Sequence, residues 1–448
     1  GADLAQFRLW WSQSGTPVVH VETAYDAPAQ TFDVTLRQSC PPTPGQPSKQ
    51  PFQIPVRLGL VGGDGKDMPL QLDGENAPQG TTRVMTLSAP EQTFRFVHVT
   101  EKPVPSIGRG FSAPVKLETG LTRAELAYLM GRDSDLFNRW EAGQQYAQAQ
   151  LLELAEAAAK GRTGDIDAAL IAAFGEVLGD APRDPAFAAL ALTLPAVADL
   201  LQAMPAGQAD AEAAHAARTT LQQAIGRALR PALLAAYRGN AVDRPFRPDA
   251  EQAGRRALRN TALRLLTAEG DAEAAELASA HFRAATNMTD SIAALAVLAG
   301  IDHDRRSEAL AAFEARWGDN PLVMDKWMSV QAASPLPGTL GEVKRLTAHK
   351  AFSLENPNRF RALINGFALN NPLRFHSPGG EGYRFVSDQA LAMDKVNPQV
   401  AARLFGVFES WRRFAPRLAD AMQREIERVA RTDGLSKNLF EIATRQLG

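Results

Sequence analysis

Apolar and polar side chains alternate up to about residue 117, and after Glu118 the apolar positions fall three and four apart. In Phe32-Asp33-Val34-Thr35-Leu36-Arg37 every second residue is apolar, the period of a strand with one face on a core. Phe52, Ile54, Val56, Leu58 and Leu60 repeat the pattern before Gly62-Gly63-Asp64-Gly65 reverses the chain. Further strands are predicted at 17–24, 68–72, 82–87, 93–99 and 112–117, separated by Pro and Gly. About seven short strands in this length predict a β-sandwich.

The rest is rich in Ala, Leu, Arg and Glu. Leu151, Leu152, Leu154, Ala155 and Ala158 make one helical face, and Leu258, Leu263, Leu265 and Leu266 contribute to another. Helix starts are marked by Asp184-Pro185, Asn320-Pro321, Asn356-Pro357 and Asn397-Pro398. The Asn or Asp accepts from orphan amides, and Pro at the first helical position gives up no helix hydrogen bond. The last three starts are 36 and 41 residues apart, close to the length of a helix-pair repeat. The expected fold is therefore multidomain β + α. A small β-sandwich, residues 1–117, precedes a large all-α superhelical, solenoid-like domain, residues 118–448, built as a curved stack of antiparallel helices.

Composition narrows the function. The 48 Lys plus Arg nearly balance 50 Asp plus Glu, so no global field draws in nucleic acid or an anionic membrane surface. No window reaches the roughly 18 apolar residues of a membrane span. One cysteine, Cys40, cannot form an internal disulfide, which fits a reducing, cytoplasmic compartment. The chain starts at Gly1 without a Met or a leader-like segment, and reads as a processed end with something missing upstream.

Candidate chemistry is sparse. None of the seven histidines has a second His three to five residues away, so no local zinc motif exists; His303, between Asp302 and Asp304, is the most ligand-like and reads as a solvated loop residue. Gly62-Gly63-Asp64-Gly65-Lys66 leads towards another strand rather than a helix, so it reads as a hairpin turn, not a phosphate loop. No G-x-S-x-G elbow is present, and Ser12 and Ser14 read as part of a loop feeding the first strand. More suggestive are Arg359 and Arg361, after one Asn-Pro start, and Gln399 and Arg403, four apart after the next. Matching ends of neighbouring solenoid helices open on one side, so these groups are expected either to converge on a cavity suited to a peptide carboxylate or carbonyl, or to form interhelix salt bridges.

Several segments together carry a resemblance. Trp10-Trp11-Ser12-Gln13-Ser14-Gly15-Thr16-Pro17 resembles the W-[YW]-S-Q-S-G-T-P signature of bacterial aminopeptidase N, the zinc-dependent gluzincin aminopeptidases. Phe111 to Glu118, Ala285 to Asp290, Leu322 to Trp327 and Asn356 to Arg359 look like successive landmarks of that family, in order and from end to end. The resemblance implies a four-domain enzyme of which this chain is similar to the last two. The family's G-A-M-E-N segment and H-E-x-x-H helix have no counterpart here.

The resemblance further implies a noncatalytic C-terminal region that scaffolds and encloses the peptide cavity of a zinc aminopeptidase. No cofactor is expected in this chain; zinc, held in the family by two His and one Glu, belongs to the parent. Expected partners are the parent's catalytic domain and peptide substrates. By resemblance Arg361, Gln399 and Arg403 match residues lining the cavity, and no catalytic residue is assigned. The fragment alone is expected to be inactive. The two tryptophans are expected to be packing anchors and the serines turn formers, at the passage into the sandwich. The alternative is a stand-alone helical-solenoid module binding peptides or a protein.

Overall fold

The computed structural model describes residues 4–448. These divide into two compact units: residues up to Ala147 with Ala168–Val177, and Gln148–Asp167 with Leu178–Gly448. Among the described residues the strands are β1 Val18–Asp26, β2 Thr31–Ser39, β3 Ile54–Val61, β4 Arg83–Leu87, β5 Glu91–Phe96, β6 Val104–Ile107 and β7 Lys116–Glu118. They form two sheets, in the orders β5-β2-β1-β7 and β4-β3-β6, antiparallel except for the β1/β7 pair. The predicted alternation puts Phe32, Val34 and Leu36 of β2 and Ile54, Val56 and Leu58 of β3 in one core.

Three strand assignments change. The segment 68–72 makes only an isolated bridge, from Leu72 to Phe96, while Leu70 exchanges hydrogen bonds with Gln79 and Gly80. Pro69 has no N–H to give to a ladder. Conversely Val104-Pro105-Ser106-Ile107 is a strand that the alternation does not announce; it lies at a sheet edge, where proline is tolerated. The predicted strand 112–117 shrinks to β7, because Val115 turns back to bond the Ala113 carbonyl.

Arg109 organises the first unit. It is 1% exposed, its guanidinium donates to both oxygens of Asp67 at 2.7 and 2.8 Å, and it also donates to Ser106 Oγ, Thr82 Oγ1 and, at 3.2 Å, Asp133. Gly59 lies against it, and a Cβ there would overlap the guanidinium. Asp133 follows the helix Arg123–Arg132, so one charge ties that helix end to both the β3–β4 connection and β6. Burial pushes the Asp133 carboxyl above the usual range.

The second unit is a two-layer helical stack. Ala211–Ala228, Ala250–Leu266, Met288–Ala299 and Pro321–Ala332 pack on one another in succession, and Ala272–Ala284 and Asp304–Trp317 belong to the other layer. Gly226 lets the first pair of helices approach until the Leu265 carbonyl leaves no room for a Cβ. Every Asp-Pro or Asn-Pro start predicted is a cap: Asp184, Asn320, Asn356 and Asn397 each accept a backbone N–H, at 2.9 to 3.3 Å. The ends of the stack meet. Ala209 and Phe414 form a parallel bridge, Ala209 N donates to Arg413 O at 3.0 Å, Ala415 N returns to Ala209 O at 3.1 Å, and Arg413 Nη2 reaches Met204 O at 3.0 Å.

His376 is buried in this unit, its Nδ1 2.9 Å from the Tyr383 hydroxyl and its ring stacked on Phe414 with centroids 4.2 Å apart. Burial pushes His376 down to about 3 and His281 down to about 4. An unfolded histidine titrates near 6.5, so below that pH the unfolded chain takes up protons that the folded one refuses. Stability is fully present above pH about 6.5 and falls as the pH drops towards 4, by up to about 1.4 kcal/mol per pH unit for each histidine. Urea unfolding between pH 7 and 4.5 measures this slope, and His376→Phe is expected to flatten it while lowering stability at pH 7. In the first unit, Arg109→Ala leaves Asp67 and Asp133 buried without their cation and is expected to cost about 3–5 kcal/mol, read as an earlier denaturant midpoint.

Candidate functional site

Among the described residues the sequence-predicted polar groups part company. Arg361, Gln399 and Arg403 line one hollow of about 560 Å³, with Pro357, Asn358, Asn397 and Val400. Two Asn-Pro starts build it: the helices Pro357–Phe360 and Pro398–Phe405 begin beside each other, and their first turns form its walls. Arg361 opens a π-helical turn, Arg361–Asn365, which widens the backbone directly after the capped turn. Gln399 and Arg403 stand four apart and therefore project from the same side of their helix.

The side chains of Arg361, Gln399 and Arg403 make no hydrogen bond or ion pair with the described residues. The salt-bridge alternative is thus not what the structure contains for Arg361 and Arg403. It does describe Arg359, which pairs with Asp325 at 2.8 Å and donates to the Ala351 carbonyl, outside the hollow. Two unpaired guanidiniums and one primary amide around a hollow supply many donors and a single acceptor. Such a wall suits carboxylates and peptide carbonyls. Asn358 joins the lining without having been singled out from sequence; its place next to a capped Pro was the available signal.

The remaining candidates resolve into structural roles. His303 caps the helix Asp304–Trp317, its Nδ1 accepting from Arg305 N at 3.2 Å. Gly62 to Lys66 is a tight turn closed by Gly62 N to Lys66 O at 2.8 Å, and Glu101 accepts from Gly63 N, so the turn already faces an anion. Ser14 Oγ lies 2.6 Å from Thr43 Oγ1, Gln13 and Gln50 exchange hydrogen bonds, and Lys49 Nζ bonds Ser14 O at 2.9 Å. Leu9–Ser12 is one helical turn rather than loop. Trp10 is a packing anchor, donating to Gln53 O at 3.0 Å and lying 4.7 Å from the Phe52 ring; Trp11, 77% exposed, is not, and meets the Phe7 ring edge-on. Among the described residues no group of three or more His, Cys, Asp or Glu is placed to hold a metal ion, and no helix is long and apolar enough to cross a membrane.

An Ig-like sandwich followed by paired helical layers is a recognisable class. Residues 15–120 match a family described as a domain of unknown function (DUF3458) with an Ig-like fold, and residues 123–448 match its C-terminal companion, described as ARM repeats. The chain belongs to this family, the Ig-like and ARM-repeat region shared with aminopeptidase N. It is 42% identical over all of its 448 residues to aminopeptidase N of Caulobacter vibrioides and 35% identical over 446 residues to that of Escherichia coli. Its fold matches the crystal structure of Legionella pneumophila aminopeptidase A in complex with aspartic acid, with a TM-score of 0.85 at 26% identity, over 100% of this chain and 50% of that one. The chain spans about half the length of the curated relatives it matches.

Proposed function

We propose that this chain is the noncatalytic part of a zinc aminopeptidase that removes N-terminal residues from peptides, and that it scaffolds and encloses the peptide cavity. The observation that carries the reading is the hollow of Arg361, Gln399 and Arg403, whose donors are left unpaired within the chain. Relatives named aminopeptidase N, matched over the whole of this chain, supply the chemical context. In this reading the helical layers, residues 118–448, present the donors and the sandwich, residues 1–117, joins them to the catalytic domain, the chain's partner in a cytoplasmic enzyme. In the parent, the chemistry that zinc would supply is polarisation of the scissile carbonyl and activation of water. This sequence has no H-E-x-x-H, and its own residues act by binding and orienting peptide.

Guanidinium groups that meet a peptide's carboxylate or carbonyls hold the substrate without entering the bond-breaking step, so their loss weakens binding more than turnover. Arg403→Ala, in a protein that joins this chain to its catalytic domain, is expected to raise KM for peptides about tenfold with kcat little changed, the loss of one charge-assisted hydrogen bond. Steady-state constants unchanged across peptide lengths would overturn the role of the hollow. The chain alone, given zinc and a fluorogenic aminoacyl-amide, is expected to show no turnover; activity that survives rigorous purification would overturn the noncatalytic reading.

A further inference from the structure

A second hollow in the helical unit, about 520 Å³ and open to solvent, lies on the layer made by Ala250–Leu266, Met288–Ala299 and Pro321–Ala332. Its floor is apolar, with Ile292, Ala293, Ala296 and Val297, and two cations, Arg264 and Lys326, stand at its wall. Neither forms an ion pair with the described residues; Arg264 makes one side-chain hydrogen bond, to Thr261 Oγ1 at 3.2 Å. The carboxylates carried by the same helices are already engaged. Asp290 accepts from Asn260 and Asn287, both at 2.9 Å, and Asp325 pairs with Arg359.

Arg218, one helix over on Ala211–Ala228, adds to the imbalance. Its Nε donates to Pro195 O at 2.9 Å and it has no acid partner, yet it lies near enough to Arg264 for the two to repel. Burial, and then that repulsion, push Arg218 down to about 10. Two like charges within reach of each other repel, and a bound anion offsets that repulsion. The first turn of the 12-residue helix Met288–Ala299 also opens here through Met288 and Thr289, presenting the positive end of its dipole.

We propose that this hollow binds a carboxylate carried on an apolar group, the C-terminal residue of a peptide, with Arg264 and Lys326 meeting the carboxylate and Ile292, Ala293 and Val297 the side chain. The proposal rests on the peptide-binding reading above and places a second contact on the same ligand class. A free apolar acid offers the same chemistry, so the experiment separates the two sources.

The purified chain is titrated calorimetrically with Ala-Ala-Leu as the free acid, with the same peptide as its C-terminal amide, and with hexanoate. The free acid is expected to bind at least tenfold more tightly than the amide and than hexanoate. Arg264→Gln is expected to remove the preference for acid over amide without loss of thermal stability, and Arg264→Lys to keep part of it with thermal unfolding matching the parent chain. Equal binding of acid and amide, no binding of either, or a preference that survives Arg264→Gln overturns the proposal. Hexanoate binding as tightly as the peptide overturns the peptide end as its ligand. A preference lost in Arg403→Ala but kept in Arg264→Gln rejects this site while leaving the proposed function in place.

Discussion

The helical unit depends on a clasp between segments about two hundred residues apart. Ala209 exchanges two main-chain hydrogen bonds with Arg413 and Ala415, and the Arg413 guanidinium holds the Gln202 and Met204 carbonyls. A stack of helix pairs makes contacts only between neighbours, so closing its ends carries a loop-closure cost that local packing does not repay. Main-chain bonds, buried among Phe414 and Ala209, supply the compensation. Closure also decides which side chains share an interior. The short helix Pro372–Phe375 meets Ala211–Ala228, and Arg374 then lies close enough to His215 to help lower its pKa, after burial and Arg218.

Charge compensation separates architecture from function in this protein. Arg109 is as buried as any phenylalanine of the core and is met by two carboxylates and two hydroxyls. Arg359 is met by Asp325, and Arg306 by Glu342. Arg361 and Arg403 differ in having neither an acid nor any side-chain hydrogen bond among the described residues, while Arg218 and Arg264, like Arg374 and Arg413, meet only neutral oxygens. A guanidinium cannot relieve its burial by shedding a proton near neutral pH, so an unpaired one in a hollow needs either water or a ligand. The pattern favours anionic ligands although the chain as a whole carries a net charge of only -2. Bulk charge averages over the surface, whereas a hollow focuses the few groups that line it.

Much of the fold was legible because its signals are local. A strand's alternation spans six residues, and an Asn-Pro cap spans four, so β2, β3 and the four capped starts could be read directly. Misreadings occurred where a distant partner overrode the local pattern. Pro105 sits in a strand because β6 has a free edge, and Leu70 lies outside any strand because its partners are loop atoms of Gln79 and Gly80. The two tryptophans look alike in sequence, but only Trp10 has a ring and a carbonyl to meet.

By itself the sequence determined the two periods, the change from strands to helices near Glu118, the capped helix starts and the family resemblance. These follow from side-chain spacing and from contacts within one helical turn. Only the tertiary structure decided that Arg361, Gln399 and Arg403 share a hollow while Arg359 turns to Asp325, and that Arg218 comes within electrostatic reach of Arg264. Whether a charge is paired depends on which helices become neighbours, and that is set by packing and closure over hundreds of residues rather than by spacing along the chain.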